Sequence, residues 1–260
     1  MISLFLFCVT LGYSVLAVGV YLDRLPKFQL MAMVLIVGQI LLLVPQMQTF
    51  SAVDPFVGLN LVSLFIGSTT LLVGYKSERM HMLFPPVFSI VALLLSIALI
   101  SPQVPMTGVS TEVWVWIHLS LILLGYVAFI LGGLTSSMYF FVQSRLKEKN
   151  LQGIARYPSL HTLDRYNLMS MWVGFCCLFT GSVAGVFWGL YTDIAFLSMM
   201  VDITIVGSFS LLSWYAVGLL GRYLGRRARW VAWFALIGFC SLTVFFLLSS
   251  IIGSWHLGAG

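Results

Sequence analysis

The sequence predicts an all-α integral membrane protein of eight transmembrane helices, with both termini on the outer, non-cytoplasmic side. Composition, block length and the placement of charge predict it. Hydrophobic residues make up 60% of the 260 and charged residues only 8%, and the mean hydropathy is +1.05. Soluble domains carry about 25% charged residues, and 8% cannot cover a water-facing surface. The apolar residues also arrive in long blocks rather than as one-sided stripes. A hydrocarbon core of about 30 Å takes roughly 20 residues at helical rise.

Eight such blocks occur, at approximately 3–21, 28–44, 57–75, 84–101, 113–144, 167–191, 199–221 and 230–252. Pro45, Pro55, Pro85, Pro86, Pro102 and Pro105 fall at block edges, as expected of residues that interrupt backbone hydrogen bonding. Every Lys and Arg belongs to one alternate set of connections. These are Arg24 and Lys27; Lys76 and Arg79; Arg145, Lys147, Lys149, Arg156 and Arg165; and Arg222, Arg226, Arg227 and Arg229. The opposite connections and both tails have none, and carry Asp54, Glu112, Asp193 and Asp202. Because Lys and Arg are retained on the cytoplasmic side, the termini are expected outside. The net charge of +5 is then a topological signal, and it points to no nucleic-acid partner.

Taken in order, Met1 to Leu22 lacks a basic leading region, and its first charges, Asp23 and Arg24, follow the apolar run. This segment is expected to stay as the first helix rather than act as a cleaved signal. Helices one to four are short, closely joined and free of ionisable residues at mid-membrane depth. They form an N-terminal region, 1–112, and helices five to eight form a second, 113–260. The fifth segment is too long for the bilayer alone, so its cytoplasmic end is expected to project beyond the headgroups. It leads into the largest loop, about Leu146 to Asn167, where Thr162 is expected to cap a helix with Asp164 in its first turn. The sixth helix carries Gly174, Gly181, Gly185 and Gly189, the last three in the stretch GSVAGVFWG. Such a strip lets a neighbouring backbone approach closely, with room for a flat ligand as the alternative. Asp202 is expected in the first turn of the seventh helix. Cys8, Cys176, Cys177 and Cys240 all lie in apolar segments without CxxC spacing, and read as small core hydrophobes. No internal repeat supports an inverted-repeat transporter.

Four histidines remain. His81 and His161 sit among polar neighbours in cytoplasmic loops and read as surface residues. His118 follows Trp114 and Trp116 near the outer end of the fifth helix, and His256 follows Trp255 just beyond the outer end of the eighth. Trp114 and His118, four apart, share one helical face. Two histidines thus reach one leaflet at similar depth. A neutral imidazole is a good axial ligand for haem iron; interfacial Trp and His are also an ordinary aromatic belt.

From the fifth helix onward the sequence resembles the cytochrome c assembly family of membrane proteins (CcsA-like), most closely its HemX-type and YpjD-type branch. Three stretches carry the resemblance. The first is WIHLSLILLGYVAFILGGLTSSMYFFVQSRLKEKN, and the second is YPSLHTLDRYNLMSMWVGFCCLFTGSVAGVFWG. The third runs from GRRARWVAWFALIGF to SWHLGAG. The resemblance implies that His118 and His256 match two outward histidines that ligate haem b in haem-exporting members. It makes Trp114, Trp188 and Trp255 candidate porphyrin neighbours. Two departures stand out. The family's tryptophan-rich outer segment is reduced to Trp188-Gly189, with Asp193 following. Trp214, Tyr215, Ala216 and Val217 stand near the place where exporting members have a buried histidine. These departures argue against a complete haem lyase and for the HemX-type branch. The expected function is haem handling in cytochrome c maturation or tetrapyrrole regulation, in a bacterial inner membrane and without independent catalytic activity. The expected partners are the lipid bilayer, other maturation proteins or a tetrapyrrole-synthesis enzyme. The alternative is a non-haem scaffold that docks a soluble partner through the loop between helices five and six.

Overall fold

The computed structural model describes the backbone over residues 2–22, 28–49, 55–76, 78–100, 113–149, 154, 157–191 and 203–257. Side chains are described over 5–22, 28–44, 57–75, 81–100, 117–149, 154, 157–189 and 205–244. Among these residues the chain is all-helical. The helices are α1 (Ile2–Tyr21), α2 (Phe28–Thr49), α3 (Pro55–Lys76), α4 (Phe84–Ile100), α5 (Val113–Lys147), α6 (Leu160–Tyr191), α7 (Ile203–Tyr223) and α8 (Ala228–Leu257). A 3-10 turn, Glu78–Leu83, precedes α4. Among the described residues, five helical segments are long and apolar enough to cross a membrane: Val57–Tyr75, His81–Ile100, Ile117–Lys147, Leu160–Gly189 and Ile205–Tyr223. Phe5–Tyr21, Phe28–Val44 and Ala228–Val244 are shorter apolar helices over their described residues.

These sequences form helices because a helix satisfies its own backbone hydrogen bonds where no water can. Hydroxyl side chains follow the same rule. Thr10, Ser14, Thr70, Ser96, Ser137, Ser213 and Ser241 each donate to the carbonyl four residues earlier, at 2.7–3.0 Å. Large apolar side chains lie both inside and outside; Val34, Leu41, Leu93 and Phe187 are all exposed. A helix apolar all round suits a bilayer, and the fold is that of a helical membrane protein.

The chain divides into two compact units, Met1–Trp116 with Leu151–Pro158, and Ile117–Asn150 with Ser159–Gly260. In the first unit, Phe28, His81, Phe84, Phe88 and Tyr13 form a run of ring contacts with centroids 5.1–5.8 Å apart. This run ties α1, α2 and α4 together. His81 is half-buried in it and pairs with Gln29 at 3.3 Å, so it is a packed residue rather than the surface histidine expected. Deeper down, Gln39 donates to the Asn60 carbonyl (3.0 Å) and to Ser63 Oγ (2.5 Å), and accepts from the Tyr13 hydroxyl (3.3 Å). Gln39, Asn60 and Ser63 are buried, and the network joins α1, α2 and α3.

In the second unit α5 lies antiparallel against α6. A Cβ on Gly125 would meet the Leu178 amide nitrogen at 3.1 Å and the Gly174 carbonyl at 3.2 Å. Phe129, seated on Gly174, stacks on Tyr215 of α7 with centroids 3.6 Å apart and planes 7° from parallel. The Tyr126 hydroxyl pairs with Ser208 at 3.1 Å. α7 ends in a Schellman arrangement: Arg226 N bonds Gly221 O (3.0 Å), Gly225 N bonds Arg222 O (3.1 Å), and Gly225 has φ +81°.

Several expectations are corrected. α6 starts at Leu160, not near 167. Ser159 is its cap, its Oγ accepting from Thr162 N at 3.2 Å, and Asp164 lies in the second turn rather than the first. Pro45 does not end α2, which continues to Thr49. The α8 backbone runs to Leu257, so His256 lies in its last turn rather than beyond it. Cys8, Cys176 and Cys240 are exposed and Cys177 half-buried; they belong to the apolar outer surface, not the core. His161 is exposed, as expected, but stands in the first turn of α6. Pro102, Pro105, Glu112, Asp193 and Asp202 lie outside the described residues.

Candidate histidine site

α5 and α6 bring His118 against the glycine strip at one end of the second unit. The spacing of Gly181 and Gly185 puts both on one face of α6, and neither has a side chain to hold α5 away. His118 is half-buried. Its ring lies over Gly185, where an added Cβ would fall 2.6 Å from Nδ1 and 3.1 Å from Nε2. Its Nδ1 is 2.6 Å from the Gly181 carbonyl oxygen. A carbonyl oxygen can only accept, so Nδ1 donates and carries the proton. In the neutral ring that leaves the Nε2 lone pair for another partner.

This is the usual condition of a metal-ligating histidine, in which a carbonyl or carboxylate holds one ring nitrogen and fixes the tautomer for the other. The close approach expected at the glycine strip is made by α5, and the space at Gly185 is taken by His118 itself. Trp188, three residues beyond Gly185 and seven beyond Gly181, continues the same face of α6 and is half-buried. The side chains of Trp114, Trp255 and His256 lie outside those described. Among the described residues no group of three His, Cys, Asp or Glu side chains could hold a bare metal ion.

The opposite end of the unit gathers the charge. Arg145 and Lys147 end α5, with Glu148 and Lys149 in the turn after it; Asp164 and Arg165 lie near the start of α6. Arg222 ends α7, and Arg226, Arg227 and Arg229 surround the start of α8. Asp164 and Arg222 form an ion pair at 2.6 Å, and Arg222 also donates to the Arg226 carbonyl at 3.2 Å. This pairing across 58 positions has no local signal in the sequence. The Gly181 carbonyl partner of His118 was half-signalled by the glycine spacing, which marks where the backbone of α6 is accessible.

Comparison with known proteins adds to this geometry. Over 196 residues the chain is 26% identical to the inner membrane protein YpjD of Escherichia coli strain K12, covering 74% of this chain and 72% of that protein. The YpjD proteins of strains O6:H1 and O157:H7 match equally. The family of the cytochrome C assembly protein matches residues 2–256, beyond the resemblance seen from the fifth helix onward. With nearly its whole length matched, the chain belongs to the cytochrome c assembly protein family.

Proposed function

We propose that this protein is a haem-handling component of a bacterial inner membrane, of the HemX type, acting in cytochrome c maturation or tetrapyrrole regulation. It crosses the bilayer eight times with both termini outside. His118 and His256 would hold haem b, with Trp114, Trp188 and Trp255 as its neighbours. The observation that carries the reading is the Nδ1 hydrogen bond from His118 to Gly181 O, which presents Nε2 as a ready ligand. The iron, when bound, supplies the Lewis acidity that two imidazoles satisfy; the protein supplies a fixed tautomer and a partly dry ring. The charge distribution supports the orientation. His118 lies at the end of the second unit opposite Arg145, Arg222 and Arg226, and basic ends are cytoplasmic. Membership of a cytochrome c assembly family and the inner-membrane location of the E. coli relative support the setting.

The test is an absorption spectrum of the detergent-purified protein, oxidised and reduced, beside His118→Ala and His256→Ala. A low-spin bis-histidine spectrum lost in either variant is expected. Its retention in both single variants refutes the ligand assignment.

A second reading rests on the length of α5. Its 35 residues span about 52 Å at helical rise, well over the hydrocarbon thickness, and end with Leu146 exposed among charges. This end would dock a soluble partner. Replacing residues 150–157 by a Gly-Ser linker of equal length spares the Ser159 cap. It disables the protein under this reading and is nearly silent under the first.

A further inference from the structure

Among the described residues, three polar atoms inside the second unit are buried without a hydrogen-bond partner: Ser136 Oγ, Asp164 Oδ1 and Asn167 Oδ1. Ser136 and Asn167 are 0% and 1% exposed, and the Asp164 side chain is 14% exposed. Helical geometry brings them to one place. Asn167 Oδ1 lies 3.6 Å from where a Cβ on Gly132 would stand, and Ser136 is one turn further along that face of α5. Asp164 is one turn before Asn167 on α6. Because the two helices run antiparallel, that step leads toward Ser136.

The missing partner can be deduced from the donors and acceptors. Asp164 Oδ1 and Asn167 Oδ1 only accept, while the Ser136 hydroxyl has one proton to give. An anion is disfavoured because two of the three orphaned atoms are acceptors and one of them belongs to the Asp164 carboxylate, which would repel it. A cation is disfavoured because Asp164 Oδ2 already meets Arg222 at 2.6 Å. A further positive charge beside that neutral pair would be uncompensated in a low-dielectric setting. A neutral ligand with two donors and an acceptor fits.

We propose that one ordered water molecule is built into the junction of α5, α6 and α7. It donates to Asp164 Oδ1 and Asn167 Oδ1 and accepts from the Ser136 hydroxyl. Three bonds is the usual number for an internal water, and each orphaned group would otherwise carry a desolvation penalty. The water extends the Asp164–Arg222 pair into α5, so that three helices share one polar tie at their basic end. Nothing in this site depends on haem.

Two experiments test it. A water-resolving structure of the protein in lipid nanodiscs should show a peak within hydrogen-bond distance of all three oxygens. Absence of the peak, or the Asn167 amide turned directly onto Asp164, overturns the proposal. Thermal unfolding of Ser136→Ala, Asn167→Leu and the double variant should be non-additive, the double losing little more than the worse single. Additive losses overturn a shared water. Sodium chloride and choline chloride should give the same midpoint; a saturable rise specific to sodium would make the ligand a cation and overturn the assignment. Should the variants fail to fold, the density test decides.

Discussion

Gly185→Ala is the smallest change that tests whether the glycine strip orients His118. The new methyl would fall 2.6 Å from His118 Nδ1 and closer still to Cε1, against an ordinary contact of about 3.5 Å or more. Since the backbones of α5 and α6 are already close at Gly125 and Gly181, the ring gives way before the helices do. A retreat of roughly 1 Å stretches the 2.6 Å bond to Gly181 O to about 3.6 Å, which is no longer a hydrogen bond. Losing that bond leaves a half-buried ring nitrogen unpaired, at a cost of about 1–3 kcal/mol. It also frees the tautomer, so haem affinity should fall about 10–100-fold, the usual effect of losing an outer partner of a metal ligand. Haem titration followed at the Soret band reads the affinity. Nitrogen-15 NMR of labelled histidine reads the tautomer whether or not haem is present, and should show protonated Nδ1 in the parent and a mixture in the variant. Gly58→Ala, where nothing lies within 4 Å of the added Cβ, is the control and should leave both unchanged. Parent affinity together with an unchanged Nδ1 signal in Gly185→Ala refutes the reasoning.

Two further predictions concern the scaffold. Gln39→Leu strips the Tyr13 hydroxyl of its acceptor and Ser63 Oγ of its donor, while the Asn60 carbonyl keeps only the Ser63 hydroxyl of its two side-chain donors. It should cost about 1–3 kcal/mol, read as a lower unfolding midpoint in detergent, whereas exposed Ser213→Ala stays within about 0.5 kcal/mol. Gly225 holds φ +81° with open space around its Cβ position, so its substitution costs backbone strain alone, about 1–2 kcal/mol for Ala and less for Asn. The unfolding midpoints should rank Gly, Asn, Ala; Ala equal to Gly would show that the turn is not held in that conformation.

The helices were legible in the sequence because hydrocarbon thickness sets a block length that hydropathy can count. What hydropathy counts is lipid contact, however, not helix. α6 therefore begins seven residues before its apolar block, since Ser159 caps a polar first turn that lies outside the predicted span. α2 passes Pro45 for a related reason: a proline near a helix end removes a bond but need not stop the chain. Burial within the bundle was less legible than membrane embedding. Cys8, Cys176 and Cys240 are as apolar as core residues, yet face outward, because in a bilayer the outside is apolar too.

The site was legible in proportion to how local its signals are. His118 stood out because an imidazole after two tryptophans at a helix end is rare in a chain with four histidines. The hydrogen bond that fixes its tautomer depends on register across 63 positions, and a backbone acceptor leaves no mark in a sequence. The glycines do leave one. Gly181 and Gly185 are usually read as a packing strip, and here they are one, but the same absence of side chains exposes the Gly181 carbonyl and seats the ring on Gly185. Packing and imidazole orientation thus draw on the same two residues. A substitution that only loosened the helices, such as Gly125→Ala at the next contact down, should weaken stability while leaving the His118 tautomer in place; one at Gly185 should release the tautomer as well as cost stability.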